Sequence, residues 1–283
     1  MKMVGCVALV LWCASAVQGQ IAGMTPRKDA GQIPSYELVS IHKMPKATGD
    51  ERINDEVDGF RATDCTLRGL IAEAYGFSLG ALDERQLVGG PAWARTQLFE
   101  VHAKVDSANV EKMKELKKAD TMMMTVREMA TRTPSYRMLM LQRLLEDRFK
   151  LKVHYEQRVM ALYEMSVAKG GLRMKTAHPA NPDSASMQMD DGKMEGENVP
   201  PVFIAMILGM ELERPVEDKT VIGGNYNFEL HWSRMGDEAD NGTNDAAPSF
   251  FTAVQEQMGL KLRAGKGPVW VIVVDHAEMP SEN

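Results

Sequence analysis

The chain has 283 residues, 44% of them hydrophobic, which is enough for one large or two ordinary cores. Asp and Glu outnumber scattered Lys and Arg by 39 to 33 for a formal charge of −6, so no basic patch marks a nucleic-acid partner. The 3 cysteines, Cys6, Cys13 and Cys65, are too few for a disulfide framework.

Lys2 precedes an apolar run over 3–12, and Ala14, Ser15, Ala16 and Gly19 follow. This pattern reads as a secretory signal peptide over 1–19, cleaved after Ala16 or Gly19 and too short to span a bilayer. Export to the periplasm or the extracellular space is expected, with no membrane span after cleavage. Bulky Trp12 before Cys13 argues against a lipoprotein, and Cys65 is then the one mature cysteine. Residues 20–34 read as a flexible lead-in.

A first α+β lobe is expected over 35–171. Tyr36-Glu37-Leu38-Val39-Ser40-Ile41 alternates as a strand, with Gly59-Phe60-Arg61-Ala62 as its hairpin partner. Asp64 is the expected N-cap of a helix through Leu67, Leu70, Ile71 and Ala74, ending near Gly76. A short strand over 86–88 enters the Gly89-Gly90-Pro91 turn, and a stronger one over 98–105 puts Phe99, Val101 and Ala103 on one face. A charged helix over 108–118 follows. Another is capped by Thr133 or Ser135, with Pro134 in its first turn. Strands are expected over 150–157 and 161–168, closed by Gly170-Gly171.

The polar stretch 172–198, with Pro179 and Pro182, is the expected linker to a second lobe over 199–283. That lobe should hold a helix over 201–208, a strand over 226–232 and an acidic loop over 236–247. A helix over 248–258 and strands over 260–263 and 269–274 complete it.

The halves repeat one another. Pro134-Ser135-Tyr136 and Phe149-Lys150-Leu151 parallel Pro248-Ser249-Phe250 and Gly259-Leu260-Lys261. Val88-Gly89-Gly90 with Phe99-Glu100-Val101-His102 parallels Ile222-Gly223-Gly224 with Phe228-Glu229-Leu230-His231. The expected fold is therefore α+β, an internal duplication giving two similar lobes of mostly antiparallel sheet with packed helices.

Four motifs in order carry a family resemblance: Gly89-Gly90-Pro91-Ala92-Trp93, Leu144-Leu145-Glu146-Asp147-Arg148-Phe149-Lys150-Leu151, Arg214-Pro215-Val216-Glu217-Asp218-Lys219-Thr220, and the tail from Asp275 to Asn283. Together they resemble a soil-associated, Acidobacteria-type family of exported proteins of unknown function. The resemblance implies a sensory or binding role outside the membrane, since the family's domain also occurs fused to membrane metallopeptidases. It carries over no catalytic residue. The family commonly reads Gly-Leu-Thr-Gly and Tyr-Asp-Phe where this chain has Val221-Ile222-Gly223-Gly224 and Tyr226-Asn227-Phe228, so Asn227 replaces a carboxylate. A weaker likeness, of fold alone, is to the N-terminal domains of secretins and TonB-dependent receptors.

No set of residues compels a chemistry. Gly76-Phe77-Ser78-Leu79-Gly80 matches G-x-S-x-G, but it follows a helix and precedes a loop, the reverse of a nucleophile elbow. His102, His154, His231 and His276 read as half-buried structural histidines on strands, with His102 and His231 at matching places of the repeat. His276 with Glu278 is the best local acid/base group, or an anchor for the tail. The loop at Asp237 to Gly242 lacks an EF-hand's ligand spacing, and Met122-Met123-Met124 reads as core filler rather than a copper site. No metal or cofactor is expected.

Trp93 beside the double-Gly turn and the Asp218-Lys219-Thr220 turn are the candidate ligand-binding residues, on the rim of an inter-lobe cleft. The reading is a non-catalytic module that binds an envelope protein or a cell-wall fragment. An envelope hydrolase using His276 and Glu278 or a bound metal is one alternative, and a structural envelope protein is another.

Overall fold

The computed structural model describes residues 30–49, 52–75, 84–119, 133–179, 185–233 and 248–281. It is a mixed α+β structure of three four-stranded sheets and flanking helices.

The first sheet is wholly antiparallel and has the order β1-β5-β3-β2, with β1 Leu38–Met44, β2 Arg52–Asp55, β3 Gly59–Thr66 and β5 Leu98–Lys104. Residues 59–62 therefore pair with β2 and β5, not with β1 as expected for a local hairpin. Phe99, Val101 and Ala103 alternate onto the buried face as the sequence predicts. Helix α1, Leu67–Ala74, buries Leu67, Leu70, Ile71 and Ala74 on that face. Its N-cap is Thr66, whose Oγ1 accepts from Gly69 N at 3.1 Å, two residues later than expected.

Helix α2, Val110–Ala119, and helix α3, Tyr136–Arg148, follow. Ser135 caps α3 by accepting from Met138 N at 3.2 Å, and Pro134 lies one residue ahead of the cap. Short β4, Leu87–Gly89, leads into the double-Gly turn, where Gly90 N donates to Val274 O at 3.1 Å.

The outer sheet of the second half has the order β7-β11-β9-β8, with β7 Lys175–Thr176, β8 Ser186–Asp190, β9 Lys193–Val199 and β11 Tyr226–His231. The stretch 172–198, expected as a linker, thus supplies three strands of this sheet. Its polarity belongs to a solvated face, while Met187 and Met194 alternate toward the second core. Helix α4, Pro201–Glu211, starts with Pro at its first position. Helix α5, Phe250–Ala253, continues as a π turn to Met258 and ends at left-handed Gly259.

The central sheet has the order β10-β6-β12-β4, with β10 Val216–Asp218, β6 Lys152–Val167 and β12 Leu260–His276. β6 and β12 are single long antiparallel strands where the sequence suggested two short pairs. Pro268 and the flanking glycines do not break β12. At mid-ribbon only β6 pairs with it among the described residues, so the missing N–H costs no ladder bond on the open edge.

Each long strand serves two cores. Val153 and Tyr155 of β6 pack on the first core with Ile272 and Val274 of β12, while Met165 of β6 joins Leu260 of β12 in the second. A third, smaller cluster unites Ile33, Met113 and Met140.

The strands and longer helices of the two halves run in one order: edge strand, hairpin, helix, short strand, strand, helix, long strand, with α2 additional in the first. The outer sheets share a bulge as well. Ala62 faces Val101 and Cys65 faces Phe99, with Asp64 between them at φ 55°. Gly196 faces Phe228 and Val199 faces Tyr226, with Asn198 between them at φ 57°. In this register Phe99 corresponds to Tyr226 and His102 to Glu229. His102 and His231 are therefore two residues out of correspondence, a slip that leaves the alternation of apolar and polar residues unchanged.

A polar groove on the outer sheet of the second half

Trp93 sits in a 3₁₀ turn, Ala92–Arg95, held by Gln97 N donating to Trp93 O at 2.8 Å. Its ring meets Phe99 edge-on, centroids 6.2 Å apart, and packs half-buried against the first core. Beside it Gly89 and Gly90 adopt φ 75° and 76°, and a Cβ on Gly89 would lie 2.8 Å from Val274 O.

Asp218 closes a tight turn at the end of β10. Its Oδ1 accepts from Thr220 N at 2.9 Å and Thr220 Oγ1 at 2.6 Å. Exposed Lys219 donates to Glu217 Oε1 at 2.5 Å, a bond that raises its pKa. β10 lies against β6 opposite residues 262–264 of β12, whereas β4 lies against 272–274. Ten residues of extended chain separate these places, on the order of 30 Å. Trp93 and the Asp218-Lys219-Thr220 turn are not brought together, and no shared rim forms.

The tail is held to the first core through its backbone and Ala277, while the His276 and Glu278 side chains meet each other. Glu278 N donates to Phe149 O at 2.7 Å, Ala277 packs on the first core, and His276 Nε2 lies 2.9 Å from Glu278 Oε1. Nearby, His154 Nδ1 lies 2.9 Å from Asp275 Oδ2, and this hydrogen bond raises the ring's pKa above the usual histidine value. Among the described residues neither imidazole contacts a hydroxyl or thiol. Ser40 Oγ and His42 Nε2 do meet, at 2.8 Å on β1, and no carboxylate among the described residues bonds the ring's other nitrogen.

His102 and His231 each bond a glutamate two residues back, Glu100 at 3.0 Å and Glu229 at 2.7 Å, so the histidines do not converge. Among the described residues no three His, Cys, Asp or Glu are grouped to hold a metal ion. Cys65 is buried, forms no disulfide, and its thiol donates to Thr63 O at 3.3 Å. The G-x-S-x-G stretch, the Met122-Met123-Met124 run, the loop at Asp237 to Gly242 and the leader over 1–19 lie outside the described residues.

A groove of about 490 Å³ opens on the outer face of the β7-β11-β9-β8 sheet. Gln188, Glu195 and Glu229 form one cross-strand row of its floor, and Ser186 and Glu197 begin the next. Lys193, beside the groove, contacts Glu195 and lies 3.4 Å from Glu229 Oε1. These contacts raise the pKa of Lys193, and His231 and Lys193 lower that of Glu229. Gln257 builds one wall by bonding both N and O of His231 at 2.8 Å. Arg173 and Lys175 also line it, and Arg173 Nη1 donates to Glu256 O at 2.7 Å, beside the Gln257 wall.

Asn227 belongs to this face too. Its Oδ1 accepts from Asn198 N at 2.8 Å, a bond that an aspartate carboxylate would make equally well. The loss of a charge at this position therefore leaves the bulge intact.

A family model for proteins of unknown function, DUF3738, matches residues 68–277. The chain belongs to the DUF3738 family. In this DUF3738 protein the match starts in α1 and ends after β12, so it takes in the second core, the groove and most of the first core. The structural unit reaches further upstream, because β1, β2 and β3 complete the first sheet before residue 68. No curated protein and no solved structure matches the chain.

Sequence reasoning missed the groove because its residues were assigned to a linker. The signal was present in the alternation of Ser186, Gln188 and Asp190 with Met187 and Met189, and in Gly192, whose φ of 73° fits a hairpin turn.

Proposed function

We propose that this DUF3738 protein is a non-catalytic binding module of the cell envelope, with its ligand site in the groove on the second outer sheet. The observation that carries the reading is the groove's polar lining on a rigid sheet. Among the described residues, the side chains of Lys175 and Gln188 enter no hydrogen bond or ion pair, and Glu197 receives only a long contact from Ser186 Oγ at 3.4 Å. Such groups are available to a ligand with polar and charged groups, as in a peptide or cell-wall fragment. Lys193 and Glu229 are both displaced toward their charged forms, the wrong direction for proton transfer near neutral pH.

Export rests on the leader pattern over 1–19, and the envelope setting on the resemblance to the soil-associated exported family. None of the described helices is long and apolar enough to cross a membrane.

Isothermal titration of the protein with short cell-wall peptides and glycan fragments tests the site. Lys175→Glu with Gln188→Ala should weaken binding by roughly tenfold, the loss of one or two hydrogen bonds, and leave the melting midpoint in place. Binding should also weaken as salt rises. Unchanged affinity in the double variant would remove the groove from the mechanism, and product formation from any fragment would replace binding with hydrolysis.

A further inference from the structure

The central ribbon has a symmetry that binding at the groove does not require. Aligning Leu151 with Leu260, each just after a left-handed residue (Lys150 at φ 49° and Gly259 at φ 71°), puts Val159 on Pro268. In the sheet, Val159 and Pro268 are register partners. The pair that corresponds by sequence is thus also the pair about which the two strands exchange. Outward from it the correspondence continues, since β10 lies parallel to the far end of β6 and β4 lies parallel to the far end of β12. The outer sheets match in strand order and in the placing of their bulges, as described above.

Each half, in addition, lends its last strand to the other. The end of β12 places Ile272 and Val274 in the core built by β3, β5, α1 and α3. The end of β6 places Met165 among residues of β9, β11, α4 and α5. The only direct covalent link between the halves is the turn from Ala168 to Met174, in which Lys169 and Gly170 are exposed.

We infer that the β6–β12 ribbon is a two-fold dimer interface carried within one chain, in which two copies of one unit are joined in tandem and each completes the other's core by strand exchange. The partner that the ribbon fits is a second copy of the half-chain. An ordinary pair of tandem domains would keep each core within its own stretch of sequence, and here neither core does. The exchange resembles domain swapping between protomers, with the hinge closed into a single polypeptide. The inference is independent of what the groove binds.

Two measurements on the full chain test it. In the first, a protease site is inserted between Lys169 and Gly170, and the variant is checked to fold as the parent before cutting. The two pieces should stay together on size exclusion at the mass of the uncut chain, and should separate only in denaturant. Elution as two separate folded pieces in native buffer would overturn the inference. In the second, Ile272→Ala is followed by amide exchange. The substitution lies in the second half by sequence, yet exchange should accelerate in β3 and β5 by roughly 30-fold or more, the effect of a large-to-small change in a core. Met165→Ala should do the same in β9 and β11. If Ile272→Ala accelerated exchange in β9 and β11 while β3 and β5 kept their protection, strand exchange between the halves would be refuted.

Discussion

At His154 the carboxylate of Asp275, 2.9 Å from Nδ1, favours the imidazolium and raises the ring's pKa. The folded value lies above the unfolded one of about 6.5, so the pair's contribution to stability is complete below that pH and fades as pH rises through the folded value. A chemical-shift titration should place the His154 midpoint above that of free histidine, and Asp275→Asn should bring it down. An unmoved midpoint in the variant would show that another group sets the shift. The same scale shows what the sequence left open. Asp64 and Thr66 both precede the apolar run of α1, and both are residue types that cap helices. Thr66 caps, while buried Asp64 accepts from Thr48 N and Oγ1, both at 2.7 Å, and from Gly49 N at 3.0 Å, holding the bulge. Residue type alone does not divide those two tasks.

Among elements, helix α1 and the buried faces of β5 and β11 were legible because their apolar spacing is strict. The ribbon was not, because Gly265, Gly267 and Pro268 carry the composition of a turn. They persist inside a strand because β12 is only one of two strands there. The candidate site was the least legible part. Trp93 and the Asp218-Lys219-Thr220 turn were grouped by analogy between halves, and the ribbon sets them far apart. One glycine shows how tightly the elements meet. At Gly259, between α5 and β12, a Cβ would lie 2.2 Å from Gly171 O and 2.6 Å from Arg173 N. Gly259→Ala should destabilise the protein by about 3 kcal/mol or more, through overpacking against backbone and a left-handed φ. Denaturant midpoints measure this, and a loss under about 1 kcal/mol would mean that the turn from Ala168 to Met174 yields easily.

For the molecule as a whole, shared strands predict shared unfolding. Trp93 reports on the first core and Trp232 on the second, where its ring meets Phe250 at 5.2 Å. Variants retaining only one of these tryptophans should melt at coincident midpoints, since β6 and β12 cannot leave one core without disturbing the other. Two midpoints several degrees apart would show that the ribbon transmits little. The boundary that the sequence suggested at 171 does not separate the cores, since each draws residues from both sides of it. The return of β12 also settles where the chain can be held. Ile33 rests against α2 and α3, and Ala277 against the first core, so both ends of the described chain sit on the same lobe. The groove occupies the other. A bead, a surface or a fused reporter attached at either end of the described chain would therefore leave the groove at the free end, and a capture assay need not choose between them.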